Sequence, residues 1–211
     1  MKTETENEVG ARRKITLVLL GIAVALILAF VADAWIAGWL AAHASHSLKR
    51  VMLIVSRAGD WPTHVGVGLA GLGVAAMVRN REWVRIFLAM LVACALAGIA
   101  ARAIKIASGR ARPSARTEAA WNGLQLHSKY NAFPSGHTAA SSGFFGTLFL
   151  VRRRIGAPFL VIPAAIAVSR MVVGAHYFSD VIFAVILGVS CAILALRWVP
   201  AIPKLKSLPY S

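Results

Sequence analysis

Acidic residues and cysteines are scarce in this chain, and both shortages narrow its possible functions. Eight Asp and Glu residues stand against 23 Lys and Arg residues, which gives a formal net charge of +15. So few carboxylates form no cluster for a magnesium or calcium ion. The two cysteines, Cys94 and Cys191, lie in apolar segments, so we predict neither a disulfide framework nor a cysteine metal site. We therefore expect no metal and no cofactor.

Charged residues of both signs are also few, and this shortage indicates a membrane protein. They make up 15% of the 211 residues, whereas hydrophobic residues make up 58%. Six stretches without charge recur along the chain, at residues 15–32, 61–78, 86–101, 133–151, 155–169 and 181–196. We predict a single all-α domain over residues 1–211, an integral membrane bundle of six transmembrane helices, with a disordered cytoplasmic tail over residues 1–10.

The basic residues outside the later motifs predict how the bundle lies in the membrane. They form short clusters on one face: Arg12, Arg13 and Lys14; Arg79, Arg81 and Arg85; Arg152, Arg153 and Arg154; and Arg197, Lys204 and Lys206. By the positive-inside rule this face is cytoplasmic, together with both termini. The remaining basic residues lie on the opposite face, so a bilayer separates the two sets. We therefore expect anionic lipid headgroups as their partners and no nucleic acid. We predict a protein of the bacterial inner membrane.

Three short motifs supply most of the chemically useful side chains. In chain order they are Lys105-x6-Arg112-Pro113, Pro134-Ser135-Gly136-His137 and Ser169-Arg170-x5-His176-x3-Asp180. By alternation of the predicted spans all three lie on the outer face. A phosphoryl group in transfer spreads negative charge over three oxygens, so it requires positioned cations, amide donors, a nucleophile and an acid for the leaving oxygen. The motifs therefore predict phosphoryl transfer.

The spacing within the motifs is consistent with this chemistry. His176 and Asp180 are four residues apart, so on a helix they share a face, and the carboxylate can hold one ring nitrogen while the other attacks. His137 follows Ser135 and Gly136 at a predicted helix start, where N–H groups favour an anion. Taken singly, each feature also has a structural explanation: an interfacial ion pair, an ordinary helix cap or a basic residue at a helix end.

Taken together, the three motifs resemble those of the type 2 phosphatidic acid phosphatase family, which shares its site with bacterial acid phosphatases and vanadium haloperoxidases. The resemblance implies a metal-independent membrane enzyme that hydrolyses a lipid phosphate or diphosphate through a phosphohistidine, at the outer ends of helices 3 to 6. A lipid-to-lipid phosphotransferase with the same residues is the alternative, and a transporter is a third. The substrate stays open among undecaprenyl diphosphate, phosphatidylglycerophosphate, phosphatidic acid and the 1-phosphate of lipid A.

The resemblance also implies a role for each residue of the motifs. His176 would be the nucleophile, Asp180 would orient it, and His137 would be the general acid. Five groups would hold the phosphoryl oxygens: Lys105, Arg112, Ser135, the N–H of Gly136, and Arg170. No residue is assigned to a metal.

Several features outside the motifs carry weaker expectations. Three arginines that flank the first motif are expected to contact lipid headgroups: Arg102, Arg110 and Arg116. Asp33 is an acid within an apolar span, so we expect it at the span's outer edge or paired with a cation. Residues 47–55 suit a helix in the membrane interface or a plain connector, and residues 114–132 form a loop that braces the site or contacts lipid. Gly66-x-Gly68-x-x-Gly71 lacks a preceding strand, so it predicts helix packing rather than nucleotide binding.

Overall fold

The computed structural model describes residues 2–115, 117 and 119–199. Across these residues eight α-helices follow one another: α1 (Lys2–His43), α2 (His46–Ala58), α3 (Trp61–Met77), α4 (Arg81–Ser108), α5 (Gly136–Val151), α6 (Arg153–Phe159), α7 (Val161–Val172) and α8 (Phe178–Trp198). Two 3-10 turns, Pro113–Ala115 and Ser128–Tyr130, lie in the connection between α4 and α5. The described residues contain no β-strand, and the all-α prediction is confirmed.

Four segments of the described chain are long and apolar enough to cross a membrane. They are Arg12–His43, Arg81–Ser108, Arg153–Val172 and Phe178–Trp198. The other two predicted spans correspond to α3 and α5, which have 17 and 16 residues. Both are shorter than the roughly 20 residues that a helix needs to cross the hydrocarbon core. A count of six spans therefore stays a prediction.

Two predicted boundaries differ from the structure. Residues 2–10, predicted to be a disordered tail, continue α1 as a helix. This segment contains no proline, so nothing in its sequence interrupts the helical hydrogen bonds. The predicted fifth span is divided into α6 and α7 at Leu160. Pro158 and Pro163 lie on either side of this break, and neither has a backbone N–H to continue the helical hydrogen bonds.

The core forms where α5 packs between α4 and α8. Small residues let these backbones approach closely: a Cβ at Gly143 would lie 2.9 Å from the Ala93 carbonyl oxygen, and one at Gly188 would lie 2.5 Å from that of Ala139. Larger side chains fill the far end of the bundle, including Ile86, Met90, Phe144 and Leu148. This rigid contact fixes the start of α5 relative to the end of α4 and the start of α8.

The glycine-rich stretch of α3 is a packing surface, as predicted. A Cβ at Gly68 would overlap the side chain of Leu91, and one at Gly71 would overlap that of Phe87. Both neighbours belong to α4, so α3 approaches α4 along these glycines. A Cβ at Gly66 would have no neighbour within 4 Å, so this glycine takes no part in the packing against α4.

Two helices lie at the edge of the bundle. The long helix α1 packs against α8 and α7, and most of its apolar side chains are exposed, as suits a helix in contact with lipid. The short helix α2 packs against α7 and is capped by Ser45, whose hydroxyl accepts the N–H of Leu48 at 3.1 Å. The predicted helix within residues 47–55 is thus confirmed, and its position in the membrane interface stays a prediction.

Candidate active site

The first and second motifs meet where α4 ends and α5 begins. Lys105 lies in the last turn of α4, and its ammonium group donates a hydrogen bond to the carbonyl oxygen of Asn131 at 2.6 Å. A Cβ at Gly136 would lie 3.6 Å from the Cε atom of Lys105. The glycine therefore lets the cation lie directly against the backbone at the start of α5.

A glycine at the end of α4 directs the chain from Lys105 to Arg112. Gly109 has a φ of +55°, a left-handed conformation that favours glycine. A Cβ there would also overlap the carbonyl oxygen of Gly123. Beyond this turn, the N–H of Arg112 donates to the carbonyl of Lys129 at 2.9 Å. Backbone contacts with residues 120–132 thus hold the arginine in place.

Ser135 caps α5 and is fully buried. Its hydroxyl lies 2.9 Å from the Thr138 hydroxyl and accepts the Thr138 N–H at 3.5 Å. Its own N–H donates to the carbonyl of Asp180 at 3.1 Å, which joins the second motif to the third. The side chain predicted to hold a phosphoryl oxygen is therefore used as a helix cap. The N–H groups of Gly136 and His137 are left without partners inside the helix and favour an anion.

His176 lies in the loop between α7 and α8, where its backbone N–H donates to the carbonyl of Arg170 at 3.2 Å. Its Nδ1 atom is 2.5 Å from the carbonyl oxygen of Ala132. Because a carbonyl oxygen only accepts hydrogen bonds, Nδ1 must carry the proton of the neutral ring. The lone pair is then on Nε2, which is the form that a nucleophilic histidine requires.

Asp180 does not hold the His176 ring directly, in contrast to the arrangement that the spacing predicts. Its nearer oxygen, Oδ2, is 3.6 Å from Nδ1 of His176, which is too long for a hydrogen bond. That oxygen accepts the N–H of Tyr177 at 2.7 Å and so caps α8. The prediction placed residues 176–180 on one helix, whereas α8 begins at Phe178. Asp180 is close enough to act on His176 through its charge.

Three cations surround His176. They are the motif residues Lys105, Arg112 and Arg170, and each acts electrostatically on the histidine. Nη1 of Arg170 donates to the Ser56 hydroxyl of α2 at 2.6 Å. The Nε atoms of Arg112 and Arg170 are buried and have no hydrogen-bond partner among the described residues. Buried, unpaired donors on cations favour the binding of an oxyanion.

His137 pairs with a carboxylate that has no role in the sequence prediction. Its Nε2 atom is 2.5 Å from Oδ1 of Asp60, the residue before α3. The pair faces a cavity of about 630 Å³ between α3, α4 and α5, which Lys105 and Arg102 also line. The other walls are mostly apolar, formed by Trp61, Val65, Cys94, Ala95, Ile99 and Ala140. The cavity is thus charged at the motif end and apolar along the helices.

A second cavity, of about 520 Å³, lies on another side of His176. It is bounded by α1, by Lys49 of α2, by Ser114 and by the segment from Met171, near the end of α7, to Phe178 at the start of α8. The two cavities contact different histidines, since His137 lines the first and His176 lines the second. The histidines therefore approach the cationic centre from different directions.

A family model described as the PAP2 superfamily matches residues 86–204, which is more than half of the chain. The chain belongs to the PAP2 superfamily. The matched region begins in α4 and contains all three motifs. The family predicted from these motifs is therefore confirmed.

Two bacterial relatives of this PAP2 protein are both named lipid A 1-phosphatase. The protein from Rhizobium johnstonii is 32% identical over 133 residues, which cover 57% of this chain and 52% of the relative. The protein from Rhizobium etli is 31% identical over 130 residues, which cover 57% of this chain and 55% of the relative. The chain thus spans about half the length of the curated relatives it matches.

Two solved structures share the fold at 18% sequence identity. LpxE from Aquifex aeolicus superimposes with a TM-score of 0.60 over 78% of this chain and 94% of the other. A transmembrane PAP2-type phosphatidylglycerolphosphate phosphatase from Bacillus subtilis gives a TM-score of 0.66 over 92% and 98%. The apolar helices and the bacterial relatives together indicate a bacterial membrane protein.

The expectation for one arginine beside the first motif is wrong. Arg110 does not contact lipid headgroups, because it is buried with only 6% of its surface exposed. It donates hydrogen bonds to Asp33 at 2.6 Å and to Asp180 at 2.5 Å. The predicted pairing of Asp33 with a cation is thus confirmed. An acid within an apolar span was the one feature of the sequence that indicated a buried cation. Arg102 is exposed and lines the cavity, while Arg116 lies outside the described residues.

The loop before α5 braces the site through Trp121. Trp121 packs against Phe133 with ring centroids 5.6 Å apart, and it lies against Arg110 at 4.9 Å. Leu124 and Leu126 of the same loop are exposed. Of the two roles open for residues 114–132, bracing the site is the one that Trp121 performs. The exposed leucines are available for contact with lipid.

The electrostatics of His176 yield a prediction about its protonation. Burial, and then Lys105, Arg170 and Arg112, lower the pKa of His176 well below its ordinary value of 6.5. The residue should therefore stay neutral at pH 6, which ¹⁵N-histidine NMR of the full chain in detergent micelles measures. Replacing His176 with alanine assigns its signal. A pKa at or above 6.5 would contradict the geometry.

The same shift predicts how this residue affects stability. The folded protein binds fewer protons at His176 than the unfolded chain does, so unfolding takes up protons at acidic pH. The contribution of His176 to stability is therefore present above pH 6.5 and is lost as the pH falls below that value. The His176→Ala variant should lack this part of the acid destabilisation.

Proposed function

We propose that this PAP2 protein is a phosphatase of membrane lipid phosphates and that His176 is its nucleophile. One observation carries the proposal: the Ala132 carbonyl fixes the proton of His176 on Nδ1, at 2.5 Å, and leaves Nε2 free. Three cations act on this histidine, and two of them have buried Nε donors without partners in the described chain. A nucleophile beside an oxyanion site is what phosphoryl transfer through a covalent intermediate requires.

The proposed reaction has two steps. Nε2 of His176 forms a bond to phosphorus while the bond from phosphorus to the lipid oxygen breaks, and His137 gives a proton to that oxygen. Water then attacks phosphorus, the bond to Nε2 breaks, and His137 takes a proton from the water as inorganic phosphate leaves. The Asp60 carboxylate, 2.5 Å from Nε2 of His137, would orient the ring for these proton transfers.

The cations of the site supply the electrostatic stabilisation in this proposal. Lys105, Arg112 and Arg170 would bind the phosphoryl oxygens, with the N–H of Gly136 at the start of α5. Within the described residues no three His, Cys, Asp or Glu side chains come together as a metal site. The reaction that we propose is metal-independent, and the fixed cations do what a magnesium ion does in other phosphoryl transfers.

We further propose that the lipid reaches the site through the 630 Å³ cavity. Its charged end, at Lys105 and His137, suits the phosphate, and its apolar walls on α3 and α4 suit the hydrocarbon chain. Of the four substrates named above, the 1-phosphate of lipid A is favoured because two relatives are named lipid A 1-phosphatase. A lipid-to-lipid phosphotransferase would use the same residues but would release no inorganic phosphate.

We also propose six membrane spans, with α3 and α5 as the two short ones and α6 and α7 as one interrupted span. The three motifs then lie on the outer face, and the N-terminus lies in the cytoplasm. The basic residues before α4 and after α5 support this orientation, since they lie at the opposite end of the helices from the site. Lys204 and Lys206, which support a cytoplasmic C-terminus in the sequence, lie outside the described residues.

Cysteine labelling tests this orientation. In a variant without Cys94 and Cys191, a cysteine at Asn122 should react with an impermeant maleimide in intact spheroplasts. A cysteine at Arg153 should react only after the membrane is opened. The opposite labelling pattern would place the site in the cytoplasm.

The two histidines should respond differently to mutation. His176→Ala should abolish phosphate release from all four lipids, because no other group in the site is placed to attack. His137→Ala should lose about 10²- to 10⁴-fold on lipid monoesters, whose basic leaving oxygen needs a proton. It should lose much less on p-nitrophenyl phosphate, whose leaving group departs without one.

Phosphate release by the purified full chain is the measurement for both variants, and the wild-type rates over the four lipids rank the substrates. Equal losses of His137→Ala on lipid and aryl substrates would remove this residue from the acid role. Selective survival of His176→Ala on the aryl substrate would mean that the two roles are exchanged.

A further inference from the structure

A buried group of polar side chains connects α1 to the start of α8. Nη2 of Arg110 donates to Oδ2 of Asp33 at 2.6 Å, and Nη1 donates to Oδ1 of Asp180 at 2.5 Å and to the Ser179 hydroxyl at 2.7 Å. Asp33 also accepts the N–H of Ser179 at 2.8 Å and its hydroxyl at 2.5 Å. All four side chains are buried. Asp33 of α1 is thus connected through Arg110 to the carboxylate of Asp180, which lies beside His176.

The charges in this group do not cancel. One guanidinium group faces two carboxylates, so the group carries one negative charge in excess when both acids are ionised. Three aromatic rings cover the guanidinium, with centroids 5.2 Å from it for Phe30, 4.9 Å for Trp121 and 4.4 Å for Tyr177. Water is therefore kept away, and charges act more strongly on one another here than in solution.

Asp180 is the member of this group that lies next to His176 in the candidate active site. One oxygen, Oδ1, contacts Arg110, while the other, Oδ2, lies 3.6 Å from Nδ1 of His176. If Arg110 faced Asp180 alone, its positive charge would cancel that of the carboxylate. Asp33 shares Arg110, so Asp180 keeps negative charge on the side that faces the histidine.

We propose that Asp33 and Arg110 are positioning residues for the lipid phosphatase reaction. Arg110 holds Asp180 in place, and Asp33 preserves the negative charge that the Asp180 carboxylate presents to His176. This inference rests on the function proposed above. When Nε2 bonds to phosphorus, the ring keeps its proton on Nδ1 and becomes positively charged. Asp180 then stabilises a charge that is absent before the reaction, so the two positioning residues should affect kcat more than KM.

A simpler role for Asp33 is to anchor α1, and the test must separate the two. Helix α1 packs mainly against α8, and Asp33 and Ala29 are the buried residues of its described contact surface. An anchor acts on the position of the helix, whereas a positioning residue acts through Asp180. Only the second role makes the effect of an Asp33 substitution depend on whether Asp180 carries a charge.

The experiment is a double-mutant cycle with the full chain in detergent micelles and a radiolabelled lipid phosphate. Asp33→Asn keeps the size and hydrogen-bonding oxygen of the side chain, and it is combined with Asp180→Asn. We expect Asp33→Asn to lower kcat about 10-fold in the wild type with KM nearly unchanged, as for other residues that orient a catalytic group. In the Asp180→Asn background the further loss should be less than about twofold.

Ala29→Leu is the matched control, since it disturbs the same contact of α1 without changing a charge. It should lower the melting temperature and reduce activity by the same factor in both backgrounds. If Asp33→Asn also costs the same factor in both, Asp33 is an anchor and the proposal is wrong. If Asp33→Asn gives no folded protein, Arg110→Lys carries the same test, because lysine keeps the charge but loses the forked contact.

The outcome also separates this inference from the proposed function. An active His176→Ala variant would defeat the proposed reaction itself. If His176→Ala is inactive but the losses from Asp33→Asn and Asp180→Asn are independent, so that the double variant loses the product of the two factors, only the positioning role of Asp33 would be defeated.

Discussion

The hydrogen bond from Nδ1 of His176 to the carbonyl of Ala132 is the contact on which the proposed chemistry depends. It decides which ring nitrogen has the lone pair, and it is made by the backbone, which cannot change its protonation state. The Ala132 carbonyl is in turn placed by the loop from α4, where the N–H of Ala132 donates to the Arg110 carbonyl at 3.0 Å. The proposed nucleophile His176, the cation Lys105, which donates to the neighbouring Asn131 carbonyl, and the buried Arg110 therefore all bond to one short stretch of the loop before α5.

Charge burial is the constraint that shapes the rest of the site. A helix bundle in a membrane has little water to solvate cations, so each one must have a partner or a ligand. All three arginines keep a buried Nε donor without a partner in the described chain, but Arg110 forms ion pairs with Asp33 and Asp180, whereas neither Arg112 nor Arg170 pairs with a described carboxylate. This pairing with carboxylates separates the proposed positioning group from the proposed phosphate site. Both groups depend on loops that the tightly packed α4, α5 and α8 hold at a fixed separation.

Much of this architecture could be predicted from the sequence. Hydropathy predicts the helices, because it depends on residues close together in the chain. The three motifs predict the family, and their common location follows from the alternation of the predicted spans and from the resemblance. Asp33, Asp60 and Arg110 could not be assigned, since Arg110 and Asp33 are 77 residues apart and no local pattern joins them. The geometry of Asp180 was also missed, because a four-residue spacing implies a shared helix face only if the helix includes both residues, and α8 begins after His176.

The most direct test of this account is to trap the covalent intermediate. The purified full chain is mixed with a ³²P-labelled lipid phosphate, denatured within milliseconds and analysed by peptide mass spectrometry. The account predicts one phosphoryl group on His176, stable in alkali and labile in acid, which the His176→Ala variant lacks. Phosphate release without any labelled protein, or a label on His137 or another residue, would contradict it.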